Sequence, residues 1–253
     1  ADVLVCTWPR FVDSGQADQW IACQADPAWA PNGVPLGGVG CGKVEISRDG
    51  RFRNFSGNNN QDMPLEEPDG LDGAYLAATV DGRTRVLATR PTGQLAPCDR
   101  LDADLRFPQA RLSAPALADD VDVACRLAGT FVPHELELAD LPGMLCRWEV
   151  TNRRNQPAQV EVILAWPNLV GTGGGVAEPE RQIGYADGFY EFFEAPDGQV
   201  AREIEAGGHR VLEYTNMPSP HKPAADGRHL VAVAGPDAAV DADPTRGRVR
   251  RTL

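Results

Sequence analysis

Residues 35–43, Pro-Leu-Gly-Gly-Val-Gly-Cys-Gly-Lys, hold the densest set of groups with chemical potential in the chain. Gly37, Gly42 and Lys43 stand at the spacing of a phosphate-cradling loop, where backbone N–H groups and a lysine surround an anion. That loop also needs Ser or Thr after the lysine, a strand before the glycines and a helix after them. Here Val44 follows Lys43, Pro35 interrupts the place of the strand, and Lys43–Ser47 alternates as a strand itself. The dinucleotide pattern fails too, because Lys43 stands where its third glycine is needed. No nucleotide or other cofactor is expected. The glycines at 37, 38, 40 and 42 instead allow positive φ and close backbone approach. The segment reads as a turn lying flat against another strand, another domain or a sugar.

The second polar concentration is Asn58, Asn59, Asn60 and Gln61, followed by Asp62. Amides both donate and accept, which suits sugar hydroxyls and equally suits turn formation. These four residues are the candidate ligand- or interface-binding set, expected to face a neighbouring domain. Acid pairs fare less well. Glu66–Glu67 and Asp119–Asp120 flank turn signals and read as solvated; Glu135 and Glu137 share one face only if their segment is extended. A retaining glycosidase needs two convergent carboxyl groups, one with a raised pKa, and no pair here is assigned that role. His134, His209, His221 and His229 lack metal-ligand spacing, so no metal site is expected. No G-x-S-x-G elbow occurs. Trp148 and Trp166 fall in strand-like runs and read as core, whereas Trp20 and Trp29 lie in a loop-like leader.

The elements that must position these groups read as short strands. Lys43–Ser47 and Arg51–Phe55 flank Asp49-Gly50, and Ala74–Val80 and Arg83–Thr89 flank Asp81-Gly82; both have hairpin grammar. Alternation recurs over Val121–Gly129, Met144–Thr151, Gln159–Trp166, Gly198–Glu205, His209–Thr215 and His229–Ala234. A further hairpin is expected from Gly188–Glu194 to Gly198–Glu205. The fold class is all-β: a large two-sheet antiparallel β-sandwich with long loops at Asn58–Gly73 and Pro218–Gly227. Residues 1–253 read as one domain, with 241–253 as a frayed tail or a cut through it. Such a cut would expose a sheet edge and favour self-association.

Acidic residues outnumber basic ones, 36 to 24, giving a net charge of -12. That excludes nucleic acid and anionic membranes as partners. No run reaches the length of a membrane span, and the first residues do not read as a signal peptide. The six cysteines form no C-x-x-C pair and read as buried free thiols, which favours a cytoplasmic location over a secreted one.

Gly33–Ile46, Asp49–Phe55 and Asn58–Asn60 together resemble the opening of glycoside hydrolase family 116, the family of non-lysosomal glucosylceramidases (bile-acid β-glucosidases) and their microbial relatives. Phe131–His134 with Leu141–Gly143, then Trp148–Asn152 and Leu164–Gly171, follow in that family's order. The resemblance covers residues 30 to 190. It implies a two-domain enzyme with an amino-terminal β-sandwich and a carboxy-terminal (α/α)6 toroid carrying a Glu nucleophile and an Asp acid/base. No position here matches those two acids. The chain is thus expected to be a non-catalytic scaffold domain of a β-glucosidase or glucosylceramidase. Its partner would be the toroid, and through it a β-glucoside or glycolipid substrate. The alternative is a stand-alone carbohydrate-binding sandwich.

Overall fold

Two-residue turns with positive φ organise the hairpins. Asp81 and Gly82 (φ 47° and 83°), Asp119 and Asp120 (47° and 62°), and Gly207 and Gly208 (60° and 76°) each adopt the left-handed pair that matches strand twist. The computed structural model describes residues 33–39, 42–57, 60–61, 73–170, 173–174, 192–193, 198–215, 228–235 and 237–253, with backbone alone at 54, 56–57, 60–61, 173–174 and 192–193.

Strands β1 (Val34–Gly37), β2 (Lys43–Ile46), β3 (Phe52–Gly57) and β4 (Asn60–Gln61) form one antiparallel ladder in chain order. Next come β5 (Tyr75–Val80), β6 (Arg83–Val86) and β7 (Ala96–Pro97). Then follow β8 (Asp102–Arg106), β9 (Gln109–Ala118), β10 (Val121–Gly129), one helical turn α1 (Leu136–Ala139) and β11 (Met144–Asn152). The second ladder runs β11-β10-β9-β8. The remaining strands are β12 (Val160–Pro167), β13 (Gly173–Gly174), β14 (Phe192–Phe193), β15 (Val200–Ala206), β16 (His209–Thr215), β17 (Arg228–Val233), β18 (Ala238–Asp241) and β19 (Arg246–Thr252). They complete a six-stranded ladder, β18-β19-β12-β5-β6-β7, a β13-β14 pair and a β15-β16-β17 ladder. Only the short β6–β7 pairing is parallel among the described strands. The fold is an all-β sandwich, as expected.

One apolar core joins these ladders. Leu36, Ile46 and Phe52 from the first, Leu112, Val123 and Leu127 from the second, Leu76 and Val162 from the third, and Leu212 and Tyr214 from β16 all contribute to it. The opposite face of the six-stranded ladder buries a small second cluster, Ala77, Val86, Ala88 and Ile163. Strands β5 and β12 are therefore covered on both faces, and nearly every side chain of both is buried or half-buried, although Gln159–Trp166 alternates in sequence.

Three expectations change. Residues 241–253 are not a tail: β19 lies between β18 and β12, pairing Glu161–Pro167 with Thr252–Arg246. Its Arg-Gly-Arg-Val-Arg sequence does alternate, with small or apolar Gly247 and Val249 inward and Arg248 and Arg250 outward in ion pairs with Asp241 and Glu161. Second, Glu135 and Glu137 do not share a strand face, because Leu136–Ala139 closes a helical turn through Ala139 N–H donating to the Glu135 carbonyl at 2.9 Å. Third, β15 pairs with β16, and β14 pairs with β13; two-residue Gly-Gly turn geometry favours the sequence-adjacent partner.

Candidate functional site

Two of the family-like segments, Asp49–Phe55 and Leu164–Val170, meet through Phe52, Phe55 and Trp166, beside the end of β16 and the start of β17. Phe52 and Phe55 are an odd number apart, yet both reach Trp166. A register shift between Lys43 and Glu45 opposite β3 makes this possible, because a bulge turns successive side chains to the same side. Phe52 meets Trp166 edge-on at 5.3 Å and Phe55 at 6.4 Å, and Phe55 meets the His229 ring at 5.6 Å. Such edge-to-face contacts add directional preference to burial.

Past Trp166, Asn168 is a latch. It is buried, its N–H donates to the Thr245 carbonyl at 2.9 Å, and its side-chain amide reaches the Thr215 carbonyl at 3.4 Å. Its Oδ1 accepts from the Val170 N–H at 3.1 Å, and Gln199 Nε2 donates to its carbonyl at 3.1 Å. One residue thus ties the end of β12 to β16, to the β18–β19 turn and to the start of β15. Tyr214 adds a second tie. Its hydroxyl donates to the Trp166 carbonyl at 2.6 Å and accepts from the Gly247 N–H. Burial pushes its ionisation up to about 12, so it stays a neutral donor. Gly247 has no room for a side chain: an added Cβ would sit 2.6 Å from Leu212 Cδ2 and 2.7 Å from the Tyr214 hydroxyl.

Two titratable groups on neighbouring strands have opposite fates. Glu213 is almost fully buried and accepts from Arg202 Nε and, at 3.2 Å, from Arg228 Nη1. The Arg202 hydrogen bond foremost holds its carboxyl below the usual range. His229 Nδ1 has no hydrogen-bond partner among the described residues, and burial lowers its pKa to about 4, so the ring is neutral at pH 7.

The glycine segment is a packing device. Gly37 has φ 148°, and a Cβ there would lie 2.4 Å from the Gly42 carbonyl oxygen; a Cβ on Gly129 would lie 3.0 Å from Gly37 N. β1 therefore presses backbone to backbone on β10, one of the three arrangements the sequence allowed. Lys43 is held by Glu45, whose other carboxylate oxygen accepts the Gly33 N–H at 3.0 Å. The lysine that completes the phosphate-loop spacing is thus occupied by an internal ion pair. The next hairpin fits as tightly: a Cβ on Gly50 would meet the Leu87 carbonyl oxygen at 2.0 Å.

Of the four candidate site residues, Asn60 and Gln61 form β4, with backbones paired to Gly57 and Ser56. Asn58 and Asn59 lie outside the described residues, as do Glu66, Glu67, Trp20, Trp29 and His221. β13 packs beside β4. Trp166 is core as expected, and Trp148 is partly buried against the same core. The Tyr214, Glu213 and His229 environments escaped the sequence reading. Their alternation marks strands, but only strand register brings Arg202 and Leu230 opposite Glu213, and His229 opposite Tyr214.

These features define an antiparallel β-sandwich whose ladders share one apolar core. The amino-terminal domain of glycosyl-hydrolase family 116, described for beta-glucosidase 2, matches residues 33–215, and the chain belongs to that family. No individual curated protein matches it.

Proposed function

We propose that this chain is the non-catalytic β-sandwich part of a β-glucosidase or glucosylceramidase-like hydrolase, supporting a separate (α/α)6 catalytic domain. The reading rests foremost on the match of residues 33–215 to the amino-terminal domain of glycosyl-hydrolase family 116, and the four described carboxylates with displaced titration accord with it. Asp81, Glu149, Glu213 and Asp243 are all displaced downward, held as anions chiefly by the Gln159 N–H, Arg126, Arg202 and the Thr245 hydroxyl respectively. A glycosidase general acid needs the opposite displacement. Asp81 is a structural clamp: its carboxylate accepts from Gln159 N–H at 3.0 Å and Arg154 at 2.7 Å, fixing the β11–β12 connection to the β5–β6 turn. Glu149 is shared by Arg111 and Arg126 across three strands. Substrates would be β-glucosides or glycolipids handled by the partner domain, with Asn58, Asn59, Asn60 and Gln61 facing that domain.

The purified chain is expected to leave an aryl β-glucoside intact and to bind glucose or octyl glucoside without measurable affinity. Hydrolysis abolished by one carboxylate substitution would overturn the scaffold reading. Glucoside binding without turnover would instead support the carbohydrate-binding alternative. Within the full enzyme, alanine at Asn58–Asn60 is expected to change kinetics or domain docking; unchanged kinetics and melting would remove the polar turn from the interface.

A further inference from the structure

The outer face of the β11-β10-β9-β8 ladder carries three arginines in one line. Register sets Arg111 of β9 directly opposite Arg126 of β10, and Arg126 directly opposite Arg147 of β11. Their sequence neighbours Ala110, Leu112, Cys125, Leu127, Cys146 and Trp148 pack into the core, so the three arginines occupy the face turned away from it. Side chains directly opposite in a ladder start about 5 Å apart, and like charges there oppose pairing.

One carboxylate serves this line. Glu149 accepts from Arg111 Nη2 at 3.2 Å and from Arg126 Nε at 2.6 Å. Arg111 Nη1 donates to the Ser113 hydroxyl. Among the described residues, the two Nη groups of Arg126 have no partner, and the guanidinium of Arg147, which is exposed, has none at all. The nearby acids are committed elsewhere: Asp104, in line beyond Arg111, pairs with Arg106 at 2.8 Å, and Asp102 pairs with Arg100 at 3.0 Å. The next line, Gln109, Ala128 and Leu145, is uncharged. Beyond it lies the corner around α1, where Val39 N–H donates to the Ala139 carbonyl at 2.6 Å. Its exposed Leu136, Leu138 and Leu141 alternate with exposed Glu135, Glu137 and Asp140, which repel an anion. The surplus positive charge of this face is thus concentrated on Arg126 and Arg147.

We propose that Arg126 and Arg147 bind a doubly charged tetrahedral oxyanion, the phosphate of a soluble phosphomonoester. Their uncommitted N–H groups stand on adjacent strands, and a guanidinium fork matches phosphate oxygens in a bidentate contact. A phosphomonoester carries nearly two negative charges at pH 7, so one ligand offsets both arginines, where a carboxylate offsets one. Glu149 holds Arg126 in place before the ligand arrives, which reduces the ordering cost of binding. The source is a small soluble molecule. A net charge of -12 opposes approach to an anionic bilayer, whereas a small ligand feels the local field, because surface charges beyond about 8 Å are screened at physiological salt.

The test uses the full chain and inorganic phosphate, read by isothermal titration calorimetry and thermal melting against chloride and acetate at equal ionic strength. Phosphate is expected to bind and to raise the melting temperature, and chloride and acetate to do neither. Arg147→Gln is expected to weaken phosphate binding about tenfold or more. Arg250→Gln, which removes an exposed arginine of β19, is expected to leave binding unchanged. Without phosphate, Arg147→Gln should melt no lower than the wild type, since it relieves the opposed charges. Phosphatidylcholine vesicles containing phosphatidic acid are expected not to retain the chain. The proposal is overturned by a phosphate effect that acetate or chloride matches, by equal affinity in Arg147→Gln, or by an equal loss in Arg250→Gln. A lower melting temperature of Arg147→Gln in phosphate-free buffer, or retention on the vesicles, would overturn it as well.

Discussion

The latch around Tyr214 and Asn168 and the corner around α1 are both stitched by backbone hydrogen bonds, yet they treat their side chains in opposite ways. In the latch, the donors and acceptors of Tyr214 and Asn168 find partners, and Leu212, Tyr214 and Trp166 are buried. At the corner, the backbone is tied and the leucines are left in water. The difference teaches where this molecule keeps its stability and where it keeps its surface chemistry. Buried, fully paired groups carry large energetic consequences when altered, whereas exposed apolar side chains contribute little to folding.

That contrast can be broken at measurable points. The largest effect is expected at Gly247. Alanine there would place a Cβ inside contact distance of Leu212, Tyr214 and the Asp241 carbonyl, costing about 3 kcal/mol or more in chemical denaturation. A fully tolerated alanine would mean that the latch is loosely packed. Next is Tyr214→Phe. It strips the Gly247 N–H and the Trp166 carbonyl of their buried partner and is expected to cost about 2–3 kcal/mol.

The third expectation concerns pH. The unfolded His229 imidazole titrates near 6.5 and the folded one near 4, so the unfolded chain binds the proton more readily between those values. Stability attributable to this group is therefore full above pH 6.5 and falls as pH drops, by about 2 kcal/mol between pH 7 and pH 5. His229→Phe keeps a ring against Phe55 and should flatten that slope in denaturant titrations at the two pH values. A slope unchanged by the substitution would assign acid sensitivity elsewhere. The smallest effect sharpens the other side of the contrast: Leu136→Ser and Leu145→Ser should each shift stability by less than about 0.5 kcal/mol. A larger loss by thermal melting would show the corner to be part of the folding core.

Much of the architecture was legible in order. Asp81-Gly82 and Asp49-Gly50 predicted hairpins because few residues but glycine accept the turn's positive φ without strain, and both hairpins formed. The family motifs were legible as patterns, but their work was not. Nothing local says that Gly37 exists to meet Gly129, or that Asn168 reaches Thr215 and Thr245, since these partners lie far along the chain. The β19 segment was missed because its inward positions are Gly247 and Val249, too small a signal among arginines to read as an apolar face. The polar segment Asn58–Gln61 stands out by composition, and only the β4 pairing of its second half is described.

Period-two alternation and Gly-containing turns by themselves determined that this chain folds into antiparallel strands, because those constraints act within a few residues. Tertiary structure alone decided which ladder each strand joined, and that β19 lies at the side of β12. It alone decided that Glu213 remains charged beneath two arginines while His229 lies neutral beside Phe55. Those outcomes depend on which distant groups share a dry interior, and electrostatic and packing energies there are set by neighbours in space rather than neighbours in sequence.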